Sequence, residues 1–211
     1  RDVKIMAGLC LLPVSFFFLQ YVFGLSAYWG DLTYIHYGWR ALAAQIVQGG
    51  RLPLWNPYAY FGMQLAGQMQ SAVWYPGTLP FYLFGFAAGL AIYQALHFFL
   101  AACGGYLWLR SLRFPRSACA GGAAVVMLCG GMVSRIPFLN HTSTLALFPF
   151  LLLCVRRPTL AGLALALAFL SGYPTMLAGA AAAAFLFGAA GSWSGRALEL
   201  RKLGKRWAAA A

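Results

Sequence analysis

The sequence predicts an all-α integral membrane protein, and three observations support this fold class. The 211 residues are 62% hydrophobic and only 9% charged, a composition that soluble globular domains rarely have. The apolar residues form six runs, most of them too long for strands. Basic residues stand mainly at the ends of those runs. We therefore expect one transmembrane domain over residues 1–211, with about six transmembrane helices and no separate soluble domain.

The apolar runs define the expected spans, since a hydrocarbon core of about 30 Å needs about 20 residues of helix. The first run starts with basic residues as a signal peptide does, but its apolar stretch is longer, so we expect a retained anchor. The fourth and fifth runs cover only about 21 Å and need a thinned bilayer or burial against other helices. The expected spans are residues 5–25, 88–109, 117–133, 142–155, 159–172 and 175–191.

The net charge of +12 is explained by membrane topology and does not indicate nucleic acid as a partner. Twelve of the fifteen basic residues fall in four clusters on one side of the predicted spans, and the positive-inside rule assigns that side to the cytoplasm. Both termini are then cytoplasmic. Residues 1–25 hold the first span, 26–87 an external loop, 88–191 five further spans and 192–211 a basic cytoplasmic tail. The twelve residues are Arg1, Lys4, Arg110, Arg113, Arg116, Arg156, Arg157, Arg196, Arg201, Lys202, Lys205 and Arg206.

Asp31 is the candidate reaction centre of the external loop. It is the only carboxylate between Asp2 and Glu199, and it follows the first apolar run closely. An acid at a membrane exit is a candidate functional residue. The plain alternatives are a solvated loop residue or the N-cap of the segment that begins at Leu32.

An amphipathic interfacial helix is predicted after Asp31, over residues 34–48, ending at two glycines. His36 and Arg40 lie one turn apart, away from the apolar stripe of this helix. One interpretation is that this helix only holds the loop at the membrane surface. The other is that it also presents His36 and Arg40 towards the same site that Asp31 faces. The stripe consists of Ile35, Trp39, Leu42 and Ile46.

The rest of the loop is expected to be irregular. Pro53, Pro57 and several glycines favour a non-helical path. An irregular backbone near a bilayer must be buried in protein or line a wet cavity, so a lid or wall over the helix ends is expected. The aromatic residues of the loop are explained by the aromatic belt that proteins form at the membrane interface, and they could also stack on sugar rings.

Further polar residues lie in or near the later spans. Arg135 and His141 are expected at the outer end of the third span, where Arg135 either anchors a lipid headgroup or binds a donor phosphate. His141 is either a proton shuttle or an ordinary residue at a helix start. His97, deep in the second span, either forms an interhelical hydrogen bond or ligates a haem or pigment metal. The cysteines lie in the apolar runs without ligand spacing, so neither disulfides nor structural zinc are predicted.

The order of these elements resembles the start of bacterial YfhO-like membrane proteins, which belong to the GT-C class of glycosyltransferases. Its most specific part is the stretch from Arg51 to Tyr58. Family members are usually much longer, so the chain is expected to correspond to their N-terminal portion. Tyr173 stands where the family usually has histidine. The resemblance also rests on Asp31, residues 70–76, Ser134, Arg135, Asn140, His141 and residues 170–175.

The resemblance implies a multi-pass enzyme of the bacterial cytoplasmic (inner) membrane that transfers a sugar from a polyprenyl-phosphate donor to an acceptor outside the cytoplasm. Asp31 would be the general base. A single carboxylate is not enough to bind a divalent cation tightly, so no metal site is predicted. Membrane lipids and the polyprenyl-phosphate-linked sugar are the expected partners. The implied substrate-binding residues are His36, Arg40, Arg51, Asn56, Arg135 and His141.

A non-catalytic role stays open beside the enzyme. The short chain and its few acidic residues also suit a structural subunit that assembles with other membrane proteins, and His97 could associate such a subunit with haem or pigment. Co-purification in fixed stoichiometry would indicate the subunit, whereas an enclosed polar cavity beside Asp31 would indicate the enzyme.

Overall fold

The computed structural model describes residues 2–25 and 29–190, and it is mostly helical. Apolar helices lie at the positions of all six predicted spans, so the helix positions are confirmed. Three segments are long and apolar enough to cross a membrane: Asp2–Val22, Pro76–Ser111 and Arg116–Val133. Membrane crossing and the orientation of the termini stay predictions, and the basic tail at residues 192–211 lies outside the described residues. The helices are α1 (Asp2–Val22), α2 (Tyr37–Gln48), α3 (Leu79–Ser111), α4 (Arg116–Leu128), α5 (Gly130–Val133), α6 (Leu139–Cys154), α7 (Pro158–Leu170) and α8 (Pro174–Ala190).

Two of the predicted boundaries were wrong in detail. Helix α3 begins at Leu79 rather than near residue 88, because a 3₁₀ turn at Pro76–Thr78 already directs the chain into a helix. Gly85 then kinks α3 with φ +75° and ψ −178°, a conformation open to glycine. The third predicted span is interrupted at Cys129, whose ψ of 153° separates α4 from the short α5.

Helix α3 forms the centre of the bundle and packs against α1, α2, α4 and α6. Its glycines allow close approach, since a Cβ at Gly104 would lie 2.8 Å from the ring of Phe150 on α6. On the α1 side, the rings of Phe17 and Phe98 meet edge to face with their centroids 5.2 Å apart. Four of the described helices therefore pack on one long, kinked helix, whereas α7 packs on α6.

Contacts between side chains mark the two ends of this bundle. At one end, Asp2 accepts hydrogen bonds from Tyr106 Oη (2.6 Å) and Arg116 Nε (2.7 Å). These contacts join the start of α1 to the connection between α3 and α4, both of which carry predicted cytoplasmic basic clusters. At the other end, the rings of Trp29 and Phe138 lie 5.9 Å apart, which joins the start of the external loop to the connection between α5 and α6.

The segment predicted as the external loop combines helix and irregular structure. A π-helical turn at Leu32–His36 leads into α2, and a small antiparallel hairpin pairs β1 (Trp55–Asn56) with β2 (Met63–Gln64). The amphipathic helix is present, and its most buried side chains do not belong to the apolar stripe. The apolar stripe is only half-buried, whereas His36, Arg40, Ala43 and Ala44 are buried against the protein. Aromatic rings on α3 provide the reason, because they receive the Arg40 side chain.

Candidate functional site

Five of the seven predicted site residues come together at the end of the bundle where the external loop meets α6. We call this group, together with Asn140, the outer cluster. Its members come from the turn before α2, from α2 itself, and from the segment that leads from α5 into α6. The outer cluster consists of Asp31, His36, Arg40, Arg135, Asn140 and His141.

Arg40 is the most deeply enclosed cation of the cluster, with 2% of its surface exposed. Its Nη2 donates a hydrogen bond to Asn140 Oδ1 at 2.7 Å. Its guanidinium carbon lies 5.2 Å from the centre of the Phe81 ring and 4.9 Å from that of Tyr93, within the range of cation–π attraction. Nε and Nη1 have no hydrogen-bond partner, and Arg40 forms no ion pair with any described residue. A buried charge with donors left over is energetically costly unless an anion approaches.

Asn140 joins three parts of the chain and was not among the predicted binding residues. Besides accepting from Arg40, it donates a hydrogen bond from Nδ2 to the carbonyl oxygen of Gln70 at 2.8 Å. Gly172 packs against the same place with φ +95°, and a Cβ there would collide with the Met69 carbonyl oxygen. The sequence signal for Asn140 was only a polar pair, Asn140 and His141, at the start of an apolar helix.

His36 is buried beside Arg40, and its two ring nitrogens have no hydrogen-bond partner among the described residues. Burial, and then the positive charge of Arg40 and the neighbouring His141, hold the pKa of His36 well below its usual value. The imidazole is therefore neutral at neutral pH. Each neutral ring keeps one acceptor and one donor nitrogen.

His141 lies at the start of α6, ahead of its apolar part. Its ring stacks against Tyr173 with the centroids 3.8 Å apart. Burial and the charge of Arg135 lower the pKa of His141, whereas the Asp31 carboxylate raises it. The carboxylate thus lies within electrostatic reach of the imidazole. Tyr173, the residue that departs from the family pattern, is in direct contact with the cluster.

Asp31 occupies the N-cap position of the turn at Leu32–His36, but its side chain makes no capping hydrogen bond. The N-cap alternative is therefore confirmed for its position in the chain, although the side chain itself does not cap the turn. Asp31 is half-buried, and it forms no hydrogen bond or ion pair with another described side chain.

Arg51 and Asn56 lie outside the outer cluster. Asn56 is buried, and its Oδ1 accepts a hydrogen bond from the backbone nitrogen of Tyr58 at 2.9 Å, so it stabilises the turn that follows β1. Arg51 is exposed and lines a cleft on the side of α2 away from Arg40. The hairpin folds this part of the loop onto itself, which sequence order alone did not indicate.

His97 has no ring nitrogen left for a metal. It is fully buried, with Nδ1 lying 2.6 Å from the Tyr93 carbonyl oxygen and Nε2 lying 2.7 Å from Tyr75 Oη. A carbonyl can only accept, so Nδ1 carries the proton and Nε2 accepts from the tyrosine hydroxyl. Hydrogen bonding explains both ring nitrogens of His97 in this conformation, but the prediction of an interhelical partner was wrong, because Tyr93 lies on the same helix and Tyr75 in the preceding loop.

No protein-family model, curated protein or solved structure matches this chain. The resemblance to YfhO-like proteins therefore stays a prediction from the residues. Within residues 2–25 and 29–190, no group of three or more His, Cys, Asp or Glu side chains lies close enough together to hold a metal ion. A functional proposal for this chain depends on the chemistry of the outer cluster.

Proposed function

We propose that this protein is a membrane glycosyltransferase that transfers a sugar from a polyprenyl-phosphate donor to an acceptor outside the cytoplasm of a bacterium. One observation carries the proposal. Among the described residues, Arg40 is buried without an acidic partner and shares a cluster with Asp31, whose carboxylate is unpaired. Such a pairing of anion-binding and proton-accepting groups suits transfer from a phosphate leaving group.

The electrostatics of the cluster favour a phosphate. Arg40 donates to the neutral amide of Asn140, and its Nε and Nη1 have no hydrogen-bond partner in the part of the chain that the structure describes. Arg135 adds a second, half-buried cation at the same end of the bundle. His36 and His141 are held largely neutral, so they contribute hydrogen-bonding groups without further positive charge. An incoming phosphate would supply the missing negative charge and accept several charge-assisted hydrogen bonds.

The reaction would follow the usual course of sugar transfer. Asp31 would take the proton of the acceptor hydroxyl as its oxygen attacks the anomeric carbon. The bond from that carbon to the phosphate oxygen would break, and the polyprenyl phosphate would leave with the electron pair. Arg135, together with Arg40, would stabilise the charge that develops on the leaving group. His141, next to Asp31, would orient the carboxylate or pass the proton on.

Replacing Asp31 by asparagine tests the assignment, since the amide keeps the shape and loses the basicity. In membranes from cells that express the protein, transfer of labelled sugar from a polyprenyl-phosphate donor should fall by at least about 100-fold, as expected for loss of a general base. Membrane insertion and helicity should not change. Asp2→Asn, at the opposite end of the bundle, is the matched control and should keep most of the activity. Full transfer in the Asp31 variant would refute the proposal.

A non-catalytic subunit is the second candidate, and the contacts of Arg40 favour it. The hydrogen bond to Asn140 and the two aromatic rings bind α2 to α3 and α6 without any ligand. If this structural role is the whole function, the protein should purify from a mild detergent in fixed stoichiometry with other membrane proteins. Purification of an active, single-component enzyme would exclude the subunit.

A further inference from the structure

The loop between α1 and α3 contains a second candidate site, on the side of α2 away from Arg40. A cleft of about 460 Å³ lies between the C-terminal half of α2 and the first strand of the hairpin. This volume lies within the range of small-molecule sites, about 300–1,000 Å³. The residues that matter for the argument are Gln45, Arg51, Leu54, Trp55 and Tyr58.

The cleft has an aromatic surface that the hairpin holds in place. The indole of Trp55 packs against Gly62, where a Cβ would approach its Cζ2 to 2.7 Å. Gly62 has φ +110°, a backbone conformation that favours glycine. Just over half of the Trp55 side chain, 53%, is nevertheless exposed. A ring supported from behind and open in front can stack on the C–H face of a sugar.

Tyr58 places a second ring at the cleft. Its backbone nitrogen donates to Asn56 Oδ1, which fixes the turn, while its side chain is 84% exposed. The backbone of the same hairpin is anchored by the fully buried Leu65, whose nitrogen donates to the Leu54 carbonyl oxygen at 2.8 Å. The two aromatic rings are therefore presented by a fixed backbone.

Arg51 gives the cleft its charge. Its guanidinium makes no hydrogen bond or ion pair with any described residue. Both described acids lie elsewhere, since Asp2 is bound by Arg116 and Asp31 belongs to the outer cluster. The unused planar donors of an arginine match a carboxylate or phosphate group. The exposed amide of Gln45 adds a donor and an acceptor for hydroxyl groups.

We propose that this cleft binds an acidic saccharide, with the sugar ring on Trp55 and Tyr58 and its carboxylate or phosphate on Arg51. The combination of exposed rings, an amide and an unpaired guanidinium distinguishes the cleft from a purely apolar, lipid-facing groove. Arg40 lies on the buried side of α2, so the two sites are distinct. Binding here does not depend on the proposed transfer reaction.

Binding of acidic oligosaccharides to the purified full chain tests the inference. The protein would be placed in nanodiscs of phosphatidylcholine, and the Kd would be measured for tetramers of galacturonate and of glucuronate and for their neutral counterparts. At least one acidic tetramer should bind ten times more tightly than its neutral counterpart. Arg51→Gln should remove most of that preference, and Arg113→Gln, an exposed arginine at the opposite end, should not. Asp31→Asn should bind as the unsubstituted protein does.

The tyrosines of the hairpin provide a matched pair. Tyr58 and Tyr60 are equally exposed, at 84%, but only Tyr58 lines the cleft. Tyr58→Ala should weaken acidic saccharide binding about tenfold, and Tyr60→Ala should leave it within twofold. Equal effects of the two changes would overturn the inference. So would failure of both acidic tetramers to bind, or their displacement when the nanodiscs contain phosphatidylglycerol, which would identify a lipid headgroup as the ligand.

Discussion

Replacing Asn140 by alanine should destabilise the protein strongly, because this side chain satisfies two hydrogen-bonding groups at once. The substitution would remove the acceptor of the Arg40 guanidinium at 2.7 Å and the donor to the Gln70 carbonyl at 2.8 Å. Losing a hydrogen bond to a charged group costs about 1.5–3 kcal/mol, and losing the bond to the half-buried Gln70 carbonyl costs about 0.5–1.5 kcal/mol. We therefore expect the free energy of unfolding to fall by about 2–4 kcal/mol, or at least about 25-fold in the unfolding constant.

The measurement is an unfolding titration of the purified protein in mild detergent, with sodium dodecyl sulfate as denaturant and tryptophan fluorescence as signal. Asn56→Ala is the matched control, since Asn56 makes one hydrogen bond, to the Tyr58 nitrogen, and its loss should cost only about 1 kcal/mol. Asn140→Asp gives a sharper comparison. Its carboxylate keeps the acceptor and supplies the missing charge, so this variant should be more stable than Asn140→Ala by about 2 kcal/mol.

Two results would refute this reasoning. If Asn140→Ala unfolds within about 1 kcal/mol of the unsubstituted protein, the bridge between α2, α6 and the loop does not contribute as described. If Asn140→Asp is less stable than Asn140→Ala, Arg40 is not an uncompensated buried cation. The proposed attraction of Arg40 for a donor phosphate would then lose its physical basis.

Three further predictions use the same titration. The pKa of His36 is lowered in the folded state, so protonation favours the unfolded state below about pH 6.5. The free energy of unfolding should therefore fall as the pH drops from 7.5 to 5, and it should fall less in His36→Gln. Gly172→Ala should cost more than about 2 kcal/mol, since its φ is +95° and a Cβ would meet the Met69 carbonyl, whereas Gly179→Ala meets open space and should be nearly neutral. His97→Phe should cost about 1–3 kcal/mol by leaving Tyr75 and a carbonyl unpaired, and loss of a visible absorption band in that variant would contradict our assignment.

The positions of the helices could be predicted because they depend on local composition. An apolar run of sufficient length forms a helix whatever its neighbours, and all six runs did so. The boundaries were less accurate where a single backbone angle decides them. Gly85 and Cys129 interrupt regular helix through φ and ψ values that hydropathy does not encode.

Part of the candidate site was also predictable from the sequence. Asp31 stood out because acids are so rare in this chain, and order along the sequence put His36 and Arg40 close behind it. Arg135 and His141 were expected at the same end from the positions of the spans, and they do lie there. Arg51 was grouped with these residues for the same reason, but its segment lies at a cleft on the side of α2 away from Arg40.

The sequence by itself determined that this chain is helical and apolar, with one acid beside a long polar loop. Each of these properties depends only on residues that lie close together in the chain. Only the tertiary structure decided which face of α2 is buried and that Asn140 would bridge Arg40 and Gln70, which lie 100 and 70 residues from it. The physical reason is that a guanidinium is buried where aromatic rings and an amide can receive it. Those partners come from distant parts of the chain and become neighbours only when the helices pack.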